Sequence, residues 1–142
     1  ANAIACSDLK IIEFVTWLQA QDFYENTTVI LTGDHETMNN DFLSQSVEAE
    51  KRMYNTFLNL PFEVEDDVLV NRNFSALDMF PTTIASLGAE IQGDRLGLGS
   101  NLFSGRKTLI EKLGVEYINE EFGKKSELYN FRFFVKEDSD EA

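Results

Sequence analysis

A wholly apolar stretch, Val29-Ile30-Leu31, leads through Thr32 to Gly33 and is followed at once by Asp34 and by the chain's single histidine, His35. Short, rich in β-branched residues and bounded by the turn residues of "YENTT", it predicts a strand covered on both faces. Upstream, Leu9, Ile12, Val15 and Leu18 recur at helical spacing within residues 7–19, Ile11 and Phe14 widen the stripe, and Ser7 or Asp8 is placed to cap it. A helix buried along a broad face and feeding a buried strand specifies an α/β arrangement. Cys6 falls on the same helix and reads as a small buried hydrophobe.

Further on, "MYNTFLNL" predicts a second strand, stopped by Pro61, although its apolar residues do not alternate cleanly. "NFSALDMFPTTIASLGAE" carries a helix pattern with Ser75 as cap, Leu77, Phe80, Ile84 and Leu87 near one face, and Gly88 as the stop. Pro81 lies inside it, so the expectation is a first turn around Asp78 and a helix with Pro81 among its early positions. Gly93, Gly97, Gly99 and Gly105 mark a loop with tight or positive-φ conformations. "KTLIEKLG" and "VEYINEEFGKKSELYNF" predict a short helix and a longer charged one, "YNFRFFV" an edge strand, and residues 136–142 an acidic disordered tail.

Composition narrows the classes. With 142 residues, 43% of them apolar and twelve of them Phe, the chain can build a core in about one domain. Its net charge of −13 opposes a phosphate backbone, so nucleic acid is excluded as a partner. One cysteine cannot staple the fold, and it neither requires nor excludes an oxidising compartment. No apolar run approaches membrane-spanning length and no signal-peptide pattern opens the chain, which as given reads as soluble. It starts without Met and enters a helical pattern almost at once, which suggests a piece of a longer protein.

Open α/β sheets place ligands at the carboxyl ends of their strands, and a turn after Gly33 can swing Asp34 and His35 toward one point. Carboxylate oxygen with imidazole nitrogen suits Zn²⁺ or Mn²⁺, but a catalytic site needs at least one further protein ligand. Glu36, Asp41 and Asp78 are available, without diagnostic spacing. On residue types alone two other readings stand: a loop histidine bonded to its neighbours, or a general base, since imidazole titrates near neutral pH. Residues 99–108 imitate a phosphate loop, yet five residues separate the glycines where four are required, and Arg106 precedes Lys107. The triplets at Asn26 and Asn73 match the glycosylation acceptor pattern and carry no functional weight. No Gly-x-Ser-x-Gly elbow occurs, so no catalytic nucleophile is identified in the chain.

The order of these motifs, "TTVILTGDHE" after a helix, then "DMFPTTIASLG" and a glycine-rich loop with "NLF", resembles the sulfatase-like branch of the alkaline phosphatase superfamily. Within it the resemblance is nearest to the membrane phosphoglycerol transferases that include lipoteichoic acid synthase, and it covers about residues 1–105. It implies the C-terminal part of an alkaline-phosphatase-like fold, a small mixed sheet packed with helices, over residues 1–135. Asp34 and His35 match the family's metal ligands, which hold a divalent ion, usually Mn²⁺, with Zn²⁺ or Mg²⁺ as alternatives. Asp78, Pro81 and Thr82 match a motif that looks architectural. The nucleophilic Thr is expected upstream, so this piece alone is expected to be inactive. Many members place Gly or a small residue close behind the histidine, where this chain has Glu36 and Thr37.

What the resemblance implies for the parent is transfer of a glycerophosphoryl group from phosphatidylglycerol to a glycan or polymer acceptor, at the extracytoplasmic face of a bacterial membrane. A sulfatase or phosphodiesterase of the same superfamily, or a non-catalytic folding or interaction piece, is the alternative. An anionic phospholipid partner conflicts with the chain's own charge, leaving the metal, absent chain, or Arg95, Arg106 and Lys107 to attract it.

Overall fold

The first helix begins earlier than its capping signals suggest. In a computed structural model that describes residues 2–35 and 53–133, α1 runs Asn2–Gln19 and ends where Gln21 folds back, its Nε2 donating to the Trp17 carbonyl at 2.8 Å. Its apolar stripe is not buried as predicted: Leu9, Ile12, Phe14 and Trp17 are exposed, and only Val15 and Leu18 are half-buried. Nothing among the described residues covers that stripe. Cys6 is likewise exposed rather than buried. Phe14 instead stacks on Trp17, with ring centroids 5.9 Å apart, and Trp17 meets Phe23 edge to face at 6.4 Å.

A short 3-10 turn, Tyr24–Asn26, leads into β1, Val29–Thr32, which pairs antiparallel with β2, Asn55–Leu58, in the register Val29↔Leu58 to Thr32↔Asn55. Both predicted strands therefore form, and they form on each other. The prediction of coverage on both faces fails, since only Val29 is buried while Ile30 and Leu31 are half-buried. Asn59 takes a left-handed φ of 58°, and its Nδ2 donates to the carbonyls of Tyr24 and Thr27 at 2.6 and 2.9 Å. Thr28 Oγ1, at the head of β1, reaches the carbonyl of Ser86 at 3.1 Å.

The chain divides into two compact units, Ala1–Glu63 with Thr83–Glu90, and Val64–Thr82 with Ile91–Ala142. In the second, α2 is Asp66–Leu69, and α3, Ala76–Ser86, crosses from this unit into the first between Thr82 and Thr83. After a 3-10 turn, Gln92–Asp94, the glycine-rich segment folds into a hairpin, β3 Arg95–Leu96 against β4 Gly99–Ser100. Gly97, at φ 58°, occupies the first central position of its two-residue turn, which a side chain would strain. Then come α4, Leu109–Leu113, α5, Val115–Gly123, and α6, Glu127–Phe133.

Both β pairs are two-stranded and antiparallel, so the fold is α/β in composition but the mixed sheet is not what the described residues contain. The edge strand predicted for "YNFRFFV" is also overturned, because residues 129–133 lie in α6. Ser126 Oγ accepts from Tyr129 N at 3.1 Å, and Tyr129 meets Phe133 one turn later, so capping and an i,i+4 aromatic pair prevail over β propensity. The acidic tail lies outside the described residues. No helix among those described is long and apolar enough to cross a membrane.

The main surprise is α3. Its predicted apolar face is exposed at Leu77, Phe80 and Leu87, and the buried face is Asp78, Pro81, Thr82, Ala85 and Ser86. Asp78, 2% exposed, accepts from Ser100 N through Oδ1 at 2.8 Å and from Ser75 N through Oδ2 at 2.9 Å. Thr82, fully buried, donates to the Asp78 carbonyl at 2.6 Å and accepts from Leu102 N at 3.0 Å. Pro81 lies deeper in the helix than predicted; lacking an N–H, it leaves the Leu77 carbonyl without its helical donor. The backbone of Gly99 lies against that carbonyl, where a Cβ would come within 1.9 Å of the oxygen.

That contact yields a sharp expectation. Gly99→Ala should destabilise the chain by about 3 kcal/mol, the upper range for overpacking, whereas Gly105→Ala, with open space around its Cα, should change urea unfolding little. Equal midpoints for the two variants would contradict the close packing of the loop on α3.

Candidate metal centre

The last rung of the β1–β2 ladder pairs Thr32 with Asn55, and one further bond, Gly33 N to the Tyr54 carbonyl at 2.9 Å, carries the pairing past the strand. The chain then bends. Asp34 Oδ1 accepts from His35 N at 3.0 Å, a local bond that folds the carboxylate toward its neighbour. The other oxygen, Oδ2, lies 3.6 Å from His35 Nε2, and the two side chains are 88% and 62% exposed. Consecutive residues that a regular strand would aim at opposite faces are thus brought together by the bend, with solvent access.

Two donors bound at ordinary zinc distances to one tetrahedral ion are separated by about 3.3–3.5 Å, and the 3.6 Å between Asp34 Oδ2 and His35 Nε2 lies at the wide edge of that range. Two ligands do not complete a site, and among the described residues no group of three His, Cys, Asp or Glu side chains is gathered to hold an ion. Glu36, Thr37 and Asp41 lie outside the described residues. Asp78 is not available as a ligand here, because both of its buried oxygens accept backbone N–H bonds.

Sequence reasoning passed over Arg72, which organises the second unit. Its Nε and Nη2 bond Glu111 at 2.7 and 3.2 Å, Nη1 donates to the carbonyls of Val68 and Leu102 at 3.1 Å, and Nη2 to that of Arg106 at 2.7 Å. A cleft of about 510 Å³ opens beside it, lined in part by Asp67, Asn71, Lys107 and Glu111. With its five donors taken by the protein, Arg72 is a structural hub and not a ready anion site. One signal did point here: Thr108-x-x-Glu111 is a capping box, and both of its reciprocal bonds are formed.

The other basic candidates are partly committed. Arg106 Nη1 donates to the Gly93 carbonyl at 2.6 Å, Lys107 is exposed, and the Nε atoms of Arg95 and Arg106 are buried without a hydrogen-bond partner.

Burial pulls the Glu111 carboxyl upward, but bonds from Arg72, Thr108 N and Asn73 N outweigh it and hold the group below its ordinary 4.5. A carboxyl depressed by folding contributes stability that is present above the unfolded value and lost as pH falls through the folded one. Urea unfolding should therefore show stability declining as pH drops below 4.5. Glu111→Gln should flatten that decline and cost about 3 kcal/mol at neutral pH, since it strands the Arg72 guanidinium, whose side chain is only 13% exposed. An unchanged acid limb in the variant would remove Glu111 from the account.

Over 105 residues the chain is 27% identical to Phosphoglycerol transferase I of Citrobacter koseri, a match covering 74% of this chain and 13% of that protein. It is 31% identical over 103 residues to the protein of the same name from Xanthomonas campestris, covering 72% and 14%. The one from Salmonella choleraesuis is 26% identical over 105 residues, covering 74% and 13%. No protein-family model and no solved structure matches the chain. The matches make this chain a relative of the phosphoglycerol transferases, and it spans about an eighth of their length.

Proposed function

We propose that this relative of the phosphoglycerol transferases forms part of a metal-dependent enzyme of that kind, with an alkaline-phosphatase-like fold, in which Asp34 and His35 are two ligands of a divalent cation, Mn²⁺ first among them. The observation that carries the reading is the convergence of carboxylate oxygen and imidazole nitrogen to 3.6 Å at the carboxyl end of β1, open to solvent. The relatives' name supports phosphoglycerol transfer as the reaction class. In this reading the glycerophosphoryl group moves from phosphatidylglycerol to a glycan or polymer acceptor at the extracytoplasmic membrane face.

A phosphodiester resists attack because its oxygens are negative, and a bound divalent cation supplies the neutralising charge and favours the deprotonated nucleophile. The chain's own residues hold that charge in place. Neither Asp34 nor His35 is asked to serve as nucleophile or base. In this reading a threonine of the longer enzyme attacks phosphorus, diacylglycerol departs with a proton, and the acceptor hydroxyl then takes the group and restores the threonine.

Titration of the full-length enzyme with Mn²⁺, followed by electron paramagnetic resonance, tests the assignment. His35→Ala should weaken binding by about a hundredfold or more and abolish transfer from phosphatidylglycerol. Retained affinity in that variant would overturn the ligand role, and turnover by the 142-residue chain alone would contradict the incomplete site.

A further inference from the structure

We propose that Thr32 and Asn55 are a positioning pair for the Asp34–His35 donors, locking the end of β1 so that carboxylate and imidazole face one ion. This rests on the metal reading above. Thr32 Oγ1 donates to Asn55 Oδ1 at 2.6 Å, and Asn55 Nδ2 donates to the Met53 carbonyl at 3.3 Å, which fixes the plane of the amide. Across the same rung Thr32 and Asn55 are Cα partners, the last before Gly33.

The lock matters because the scaffold is slight. A two-stranded pair of four-residue strands is marginal, and its terminal rung is the first to fray. Asp34 Oδ1 to His35 N ties the dipeptide within itself. Gly33 intervenes, carrying no side chain that would limit its dihedrals. Among the described residues, that weak point is spanned by the backbone bond from Gly33 N to Tyr54 O and the side-chain bond between Thr32 and Asn55, with Thr32 Oγ1 also 3.2 Å from the Gly33 carbonyl. Burial does not account for the second. Thr32 is exposed, so water can satisfy its hydroxyl equally well, and what the direct bond adds is a fixed direction for the chain leaving the strand. Fixing that direction before the ion arrives lowers the ordering cost of binding, as outer-shell partners of metal ligands do.

Mn²⁺-induced broadening of amide signals in the full-length enzyme, ¹⁵N-labelled within this segment, tests the pair directly. In the wild type, broadening should centre on residues 33–35, and His35→Ala should abolish it. Thr32→Val, which keeps shape and strand propensity but lacks the hydroxyl, and Asn55→Ala should each raise the apparent Kd about tenfold with the remaining spectrum unchanged. Thr32→Ser, retaining the donor, should bind as the wild type does. If Thr32→Val and Asn55→Ala bind normally while His35→Ala does not, the positioning pair is wrong and the ligand assignment survives. Absence of wild-type broadening at residues 33–35, or its persistence in His35→Ala, sinks both. Should Asn55→Ala unfold, Thr32→Val at its exposed position decides the matter alone.

Discussion

Two buried side chains on successive turns of α3, Asp78 and Thr82, set the conformation on which the second unit depends. A carboxylate shielded from water costs several kcal/mol unless its oxygens are filled, and here one bond is local, from Ser75 N, and one comes from across the unit, from Ser100 N. Thr82 repeats the device with Leu102 N. A glycine-rich segment has few backbone partners of its own, so its N–H groups must be satisfied by something else once they are buried. Here they are met by the helix, and any slippage of the loop would strand a carboxylate and two amides together. Pro81 completes the fit by clearing an N–H from the helix beneath Gly99. Arg72 applies the same logic in reverse, gathering carbonyls where Asp78 gathers amides.

This explains what was and was not legible in the sequence. Caps and stops were readable because they are local: Ser75 and Gly88 bracket α3, Gly33 follows β1, and Pro61 follows β2 closely. Which face of α3 is buried was not, because the rule assumes that apolar residues turn inward, and the buried face here is polar and small. The rule could succeed only if the hydroxyls and the carboxylate of that face had no partners, and sequence does not display partners supplied from twenty residues away. Arg72 was invisible for the same reason. Its acceptors are mostly main-chain carbonyls, which leave no trace in residue identity. In α6 the failure was different: aromatic residues suggested a strand, and a serine cap with an i,i+4 ring pair made a helix.

The candidate centre sits between these cases. That a strand should end in Gly-Asp-His was plain from the sequence, and the convergence of the two side chains followed from a bend that regular strand geometry does not predict. The structure adds the mechanism of the bend, an Asp34 side-chain oxygen taken by the next residue's N–H. It also separates Asp34 and His35 from Asp78, three residues of nominally similar ligand chemistry. Exposed and convergent donors can take an ion, whereas a buried carboxylate already filled by amides cannot without breaking the loop it holds.

Charge gives the metal reading its physical logic. With 25 acidic and 12 basic side chains, the chain presents an unfavourable field to any phosphodiester. Arg72 is paired with Glu111 and surrounded by carbonyls, and Arg106 has a carbonyl on one of its nitrogens, so neither offers a full guanidinium fork. An acidic scaffold that must act on an anion needs a concentrated positive charge from outside its own side chains. A divalent cation is the compact way to supply it, and an acidic neighbourhood that repels the substrate attracts the cation. On this view the net charge does not count against the proposed function, because the same carboxylates that oppose a phosphate would favour the proposed divalent cation.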